Sequence, residues 1–224
     1  MLTLLLATRN RHKVQEIRAI LGAAMRYLSL HDLPGTPEIQ EDADSFAGNA
    51  VKKALTLARW LGQARTAPAA DLAARGCLVV ADDSGLEVDA LGGAPGVHSA
   101  RFAALENGRT GNTPDAANNA KLLRLLHDVP AGKRTARFRC VVAVARPAAP
   151  GRAEAAPRLF EGVCEGQIGF GPRGANGFGY DPLFIPEGFQ QTFAELSETV
   201  KNTISHRARA LAALREWLAA QQAP

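Results

Sequence analysis

Cysteine is scarce in this 224-residue chain, and the three present, Cys77, Cys140 and Cys164, show no C-x-x-C spacing. That argues against a disulfide framework and against cysteine-ligated zinc, and predicts three buried thiols in apolar, strand-like surroundings. Long apolar runs are missing too: none reaches the roughly 20 residues needed to cross a bilayer. The opening residues MLTLLLATRN carry neither a basic leader nor a cleavage site. Leu2 to Leu6 is therefore expected to be a strand, and the chain is expected to work in the cytoplasm with no membrane partner. Lys and Arg, though in excess at a formal charge of +4, are spread along the chain without a long run. Such an excess suits anionic small molecules as well as nucleic acid. Finally, no G-x-x-x-x-G-K-[ST] phosphate loop occurs. What remains is a globular composition, 46% apolar and 21% charged, enough for one domain with a sizeable core or two small lobes sharing a cleft.

The most informative stretch is Val79 to Phe102, VVADDSGLEVDALGGAPGVHSARF. An apolar run, Leu78 to Ala81, meets Asp82 and Asp83, which predicts a strand whose end carries acid. Neighbouring side chains on a strand point to opposite faces, so one carboxylate faces a cleft and the other must find a partner inside. Adjacent acids repel unless a cation or buried donors hold them, and a hard divalent ion favours oxygen ligands of this kind. A solvated turn with an aspartate cap would also account for D-D-S-G alone. Beyond Asp83 a second short strand is expected through Leu86 and Val88, followed by the turn-rich Leu91 to Gly96.

The first unit reads strand, loop, helix. Val14, Ile17, Ile20 and Leu21 share one helical face, Asn10 is placed as the cap and Gly22 as the stop. The loop Thr8-Arg9-Asn10-Arg11-His12-Lys13 precedes that helix, where free backbone N–H groups and the positive dipole end suit phosphate. The acidic segment Pro34 to Asp44 leads into a helix over Ser45 to Leu61, with Phe46, Ala50, Ala54, Leu57, Ala58 and Leu61 inside, Lys52, Lys53 and Arg59 outside, and Asn49 on the buried edge wanting a partner. Gly62 to Gly76 has no clear periodicity. Downstream, a polar loop spans 107–114, a helix Asp115 to His127, and strands Arg134 to Ala145 and Leu159 to Ile168, the latter two paired across a connection over 146–158.

A glycine-rich stretch, Gly169 to Asp181 (GFGPRGANGFGYD), holds five glycines and the aromatics Phe170, Phe178 and Tyr180. Flat apolar rings amid glycines suit stacking of a base, and Asp181 supplies an acceptor. A short strand from Pro182 to Ile185 follows. Lys201 and Ser205-His206-Arg207 precede or open a C-terminal helix with an apolar stripe. Cations are disfavoured at a helix N-terminus unless an anion holds them, which points to an anionic ligand.

Together these blocks resemble the inosine/xanthosine triphosphate pyrophosphatase family of house-cleaning nucleotide hydrolases. The matching residues are A-T-x-N-x-x-K at Ala7 to Lys13, E-x-x-x-S-F-x-x-N-A at Glu41 to Ala50 and A-D-D-S-G-L-x-V-D-x-L-G-G-x-P-G-x-x-S-A-R-F at Ala81 to Phe102. G-F-G-Y-D-P-x-F at Gly177 to Phe184 and K-x-x-I-S-H-R at Lys201 to Arg207 complete the set, in family order over nearly the whole length. The resemblance implies an α/β fold over residues 1–224, two lobes about a long mixed sheet with flanking helices and the active site in the cleft between them. It implies Mg²⁺-dependent hydrolysis of ITP, dITP and XTP to monophosphate and pyrophosphate by a homodimer, with no nucleic-acid partner. By motif, Glu41 and Asp83 would be metal ligands, with Asp83 also helping to activate water, and Asp82 would support them. Thr8, Arg9, Asn10, Arg11, His12, Lys13, Ser84, Lys201 and Arg207 would hold phosphates and sugar. Phe178, flanked by Gly179 and Tyr180, would stack on the purine, and Asp181, His206 and Arg207 would lie near the base edge, where a donor to a 6-oxo group disfavours adenine.

The chain departs from the family pattern at Arg9, usually glycine, at Gly48, often glutamate, and at Ala43, often glycine; 62–76 and 146–158 read as lengthened loops. Two other functions fit parts of the sequence. A basic nucleic-acid-binding module would use Arg9, Arg11, Arg137 and Arg139 on phosphates with Phe178 and Tyr180 stacking. A metal-dependent phosphatase would release orthophosphate instead of pyrophosphate.

Overall fold

The computed structural model describes residues 1–108, 111–148 and 154–221. In chain order the elements are β1 (Thr3–Leu6), α1 (Arg11–Leu21), β2 (Arg26–Ser29), α2 (Phe46–Gln63), α3 (Ala69–Ala74), β3 (Leu78–Val88), α4 (Asp115–Leu125), β4 (Thr135–Ala145), β5 (Arg158–Ile168), β6 (Phe184–Pro186), α5 (Glu198–Ile204) and α6 (His206–Ala220). The six strands form one sheet in the order β2-β1-β3-β4-β5-β6. It is mixed: β1 runs parallel to β2 and to β3, whereas β5 and β6 are antiparallel. The α/β class expected from the sequence is the class observed.

Leu4, Leu5 and Leu6 have no exposed surface, as a central parallel strand covered on both faces requires. The register Leu4↔Leu78 to Leu6↔Val80 sets β1 beside the apolar start of β3. Asn10 caps α1 by accepting from the Lys13 backbone N–H at 3.1 Å, and Gly22 ends it at φ 84°. Ser45 does the same for α2, its Oγ accepting from Gly48 N–H at 3.1 Å. All three cysteines are free and buried.

Four elements differ from expectation. The strand holding Asp82 and Asp83 does not end there but continues unbroken to Val88, with no second strand. The stretch 62–76 contains α3, β2 lies where no strand was expected, and α5 precedes the C-terminal helix. Of the connection expected over 146–158, residues 149–153 lie outside the described residues, as do 109 and 110 of the loop over 107–114.

The chain divides into two compact units, Met1–Asp83 with Val141–Glu161 and Ala210–Pro224, and Ser84–Cys140 with Gly162–Arg209. The first is built on β1 and α2, with Leu57, Leu61 and Val79 fully buried. The second packs aromatics: Phe138 lies 4.7 Å from Phe184 edge-on and 6.0 Å from Phe193 stacked, geometries that the ring quadrupole favours.

Candidate active site

The two-residue period of β3 sends Asp82 and Asp83 to opposite sides, and each finds a cation in the first unit. The Asp82 carboxylate pairs with Lys13 Nζ from α1. Asp83 accepts at Oδ1 from Lys53 Nζ (3.0 Å) and at Oδ2 from Asn49 Nδ2 (3.2 Å), both on α2. Lys53 also donates to the Asp82 carbonyl at 2.8 Å and to Glu41 Oε1 at 3.0 Å. One ammonium thus ties together Glu41, from the loop before α2, and Asp83, from the central strand. Asn49, fully buried, has its Oδ1 taken by the Ala43 N–H at 3.0 Å, so its amide orientation is set and Nδ2 is turned to Asp83.

The sequence places Lys53 on the solvent face of α2, whereas the structure buries it at 5% exposure. A signal for it existed, since Asn49 and Lys53 are four apart and share a helix face. Crowding two carboxylates and an ammonium into this space moves all three titrations. Burial pushes the Asp83 carboxyl up to about 6, with the negative charge of Glu41 adding to it against the pull of Lys53 and Lys13. Burial also disfavours the Glu41 charge, but the Lys53 ammonium and its hydrogen bond, together with Lys13 and a hydrogen bond to Asp83, hold Glu41 below its ordinary value. Desolvation opposes the Lys53 charge, yet Asp83, Glu41 and Asp82 raise its pKa.

Among the described residues no group of three or more His, Cys, Asp and Glu is placed to hold an ion. The donors fit a hard cation nonetheless: two carboxylates from separate segments approach one positive charge, a partial oxygen shell of the sort Mg²⁺ completes with waters and substrate phosphates.

Around the α1 N-terminus, Thr8 Oγ1 accepts from the Asn10 N–H at 3.0 Å. Arg9 is exposed, its guanidinium donating to Thr36 Oγ1 at 3.2 Å, and its carbonyl lies 2.9 Å from His31 Nε2. No described non-glycine residue has positive φ, so Arg9 occupies an ordinary backbone region. Arg11 and His12 are exposed at the start of the helix.

The second unit carries another charged cluster. Arg207, 1% exposed, donates from Nη2 to Ser84 Oγ at 2.8 Å. Lys201 Nζ lies 2.5 Å from Asp181 Oδ2, which also accepts the Phe178 N–H at 2.9 Å. The half-buried Phe178 ring has Lys201 Nζ at 5.1 Å and the Arg207 guanidinium carbon at 5.8 Å from its centroid, within cation–π range. Gly177, at φ +74°, closes against Asp181: a Cβ there would fall 2.0 Å from Oδ2. His206 stacks on Phe138 at 4.7 Å.

Several expected contributors sit differently. Tyr180 is 3% exposed and donates its hydroxyl to the Ser99 carbonyl at 2.9 Å, so its ring is core and offers no stacking face. Phe170 is exposed, with the Arg134 guanidinium over its ring at 4.4 Å from the centroid. Lys201 lies in the last turn of α5, where a cation suits the dipole, so the helix-start conflict concerns only His206 and Arg207. Arg137 pairs with Asp89 and Glu165, each at 3.0 Å, and Arg139 with Glu87 at 3.8 Å, so two of the four arginines of the nucleic-acid alternative already have acidic partners.

A mixed α/β sheet with converging carboxylates in one unit and buried cations beside an aromatic ring in the other defines a class of anion-handling α/β protein. The chain belongs to the Ham1 family, whose sequence model matches residues 4–217. It is 49% identical over 209 residues to a dITP/XTP pyrophosphatase of Desulforamulus reducens, covering 93% of this chain and 91% of that protein. Among solved structures it resembles a HAM1 protein from Coxiella burnetii (TM-score 0.78, 35% identity, 98% of this chain and 100% of that one). A nucleoside-triphosphatase / dITP/XTP pyrophosphatase from Mycobacterium abscessus matches with TM-score 0.65 and 39% identity, over 95% and 98% of the two chains.

Proposed function

We propose that this chain hydrolyses ITP, dITP and XTP to the nucleoside monophosphate and pyrophosphate with Mg²⁺, clearing deaminated purines from the nucleotide pool of the cytoplasm as a homodimer. The observation that carries the reading is the sharing of Lys53 by Glu41 and Asp83, 3.0 Å from each, which sets two oxygen donors of separate origin around one cation.

In this reading Glu41 and Asp83 hold the metal, which when bound offsets triphosphate charge and makes a water easier to deprotonate. Asp83, with a carboxyl pushed up to about 6, is mostly ionised at neutral pH yet more basic than an ordinary aspartate, which suits it to take a proton from attacking water. The loop Thr8 to Lys13, Ser84, Lys201 and Arg207 bind the phosphates and sugar. Phe178 faces the purine, and Asp181, Lys201, His206 and Arg207 select the base edge, where hydrogen-bond donors match a 6-oxo purine and oppose adenine's amino group. The names of the relatives, all acting on dITP and XTP, support the substrate class.

The test is turnover of ITP, dITP, XTP, GTP and ATP with and without Mg²⁺, products identified. Pyrophosphate and monophosphate from the first three only when Mg²⁺ is present is the expected result. Orthophosphate release would support the phosphatase alternative, and metal-free, salt-sensitive oligonucleotide binding without turnover the nucleic-acid module. Sedimentation of the full chain checks the dimer.

A further inference from the structure

We infer that Asp115 and Asn119 of α4 are positioning residues for base selection, acting as a two-point clamp on the backbone of Gly179; this rests on the nucleotide-hydrolase reading above. Gly179 sits between Phe178 and the Tyr180-Asp181 pair, at φ +63°. Its N–H donates to Asp115 Oδ2 at 2.7 Å, and its carbonyl accepts from Asn119 Nδ2 at 3.0 Å. Asp115 and Asn119 are four apart and so share a face of α4. Both polar groups of one peptide residue are thereby fixed to a helix that supplies no other part of the proposed site.

The rest of the loop is held from within or from the core. Phe178 N–H goes to Asp181, Asp181 N–H returns to the Phe178 carbonyl at 3.3 Å, and Tyr180 is anchored on Ser99. That leaves Gly179 as the point where α4 dictates where the Phe178 ring stands. Asn119 also keeps its Oδ1 buried without a hydrogen bond. An acceptor left unsatisfied costs stability, so packing alone does not explain this side chain, whereas holding the Gly179 carbonyl does. The contact to Asp115 is charge-assisted, the stronger of the two.

A clamp on the base-binding loop acts on substrate binding and leaves the chemical step alone. In the whole chain, Asp115→Ala should raise KM for ITP about tenfold and lower the ITP-to-ATP ratio of kcat/KM, with kcat for ITP within about twofold. Asn119→Ala should act the same way more weakly, and Asp115→Asn, which keeps an acceptor for the Gly179 N–H, should recover most of the loss. Hydrogen exchange at the Gly179 amide should quicken about tenfold or more in Asp115→Ala while the amides of β3 stay protected. Unchanged exchange at Gly179 overturns the clamp. So does faster exchange with KM and the nucleotide ratio at wild-type values, or a uniform loss on all nucleotides with a lowered melting temperature that Asp115→Asn does not restore. A wild-type chain that releases no pyrophosphate from ITP sinks the hydrolase reading instead, and the exchange measurement still decides whether Asp115 holds the loop.

Discussion

Lys53 and Asp83 form an ion pair at 3.0 Å in which both side chains are 7% exposed. Neither charge is stable there alone. Removing one partner of a buried pair leaves the other uncompensated, at a penalty of about 3 kcal/mol or more. Lys53→Ala strands Asp83 facing Glu41, so the metal-free protein should lose about that much stability. A divalent ion restores the missing positive charge, so Mg²⁺ should raise the melting temperature of Lys53→Ala more than that of the wild type. Thermal melts with and without Mg²⁺ check this; equal Mg²⁺ shifts in both proteins would show that the ion does not enter this pocket.

The Asp83 carboxyl gives a second expectation, with a definite sign. Its folded value is about 6 against an ordinary 3.8, raised by burial and by Glu41 while Lys53 and Lys13 face it with positive charge. The folded state therefore binds the proton more tightly than the unfolded chain, and this group's contribution to stability declines as pH rises between those two values. Metal binding runs the other way, because the proton must leave before the oxygen can ligate. Mg²⁺ affinity should be constant above the folded value and weaken up to about tenfold per unit below it. Calorimetric titration of Mg²⁺ from acid to neutral pH measures this. Asp83→Asn should abolish turnover with the fold intact and leave weak, nearly pH-independent metal binding, and a flat wild-type profile would remove Asp83 from the ligand set.

Gly177 offers a test in the second unit. With φ +74° and Asp181 Oδ2 only 2.0 Å from where a Cβ would stand, Gly177→Ala combines left-handed strain of roughly 1–2 kcal/mol with displacement of the carboxylate. That carboxylate holds Lys201 and the Phe178 N–H, so KM for ITP should rise by an order of magnitude or more while kcat changes little. Steady-state kinetics with ITP settle it; an unchanged KM would mean that the Asp181 contacts do not govern nucleotide affinity.

Much of this architecture was legible before any coordinates, and the omissions have physical causes. The strand of leucines in β1, the apolar faces of α1 and α2, and the alternating β4 announce themselves because burial imposes a period on the residues, and Asn10 marks where α1 starts. β2 spans only Arg26–Ser29 and carries no clear alternation. α3 has no side-chain cap, so nothing in its sequence marks where it starts. Asp82-Asp83-Ser84-Gly85 reads as a strand end because acids and glycine usually interrupt strands, whereas here buried cations neutralise the acids and β3 runs on. Lys52 and Lys53 are neighbours of one type with opposite fates: Lys52 pairs with exposed Asp42 while Lys53 goes inside. Composition could not separate them. Position relative to Asn49 could have.

The departures at Ala43 and Gly48 turn out to be one feature. A Cβ on Gly48 would stand 2.8 Å from the Ala43 Cβ and 3.0 Å from Ser45 Oγ. The Ala43 methyl fills the space that a side chain at 48 would enter, so the two positions share room for one side chain. Gly48→Ala would ordinarily gain about 0.5–1 kcal/mol from helix propensity. Here the added methyl must push on Ala43, whose methyl group is fixed to the backbone, or on Ser45 Oγ, whose bond to the Gly48 N–H starts α2. Loss of such a cap is worth about 1 kcal/mol, so Gly48→Ala should destabilise. Ala43 also fixes the Asn49 amide that reaches Asp83, so the same substitution should lower kcat/KM severalfold. Adding Ala43→Gly removes the obstructing methyl, and the double variant should regain both stability and activity. A double-mutant cycle read by melting temperature and by ITP turnover isolates the coupling, and strict additivity would show that residues 43 and 48 do not share the space that orients Asn49 toward the carboxylate.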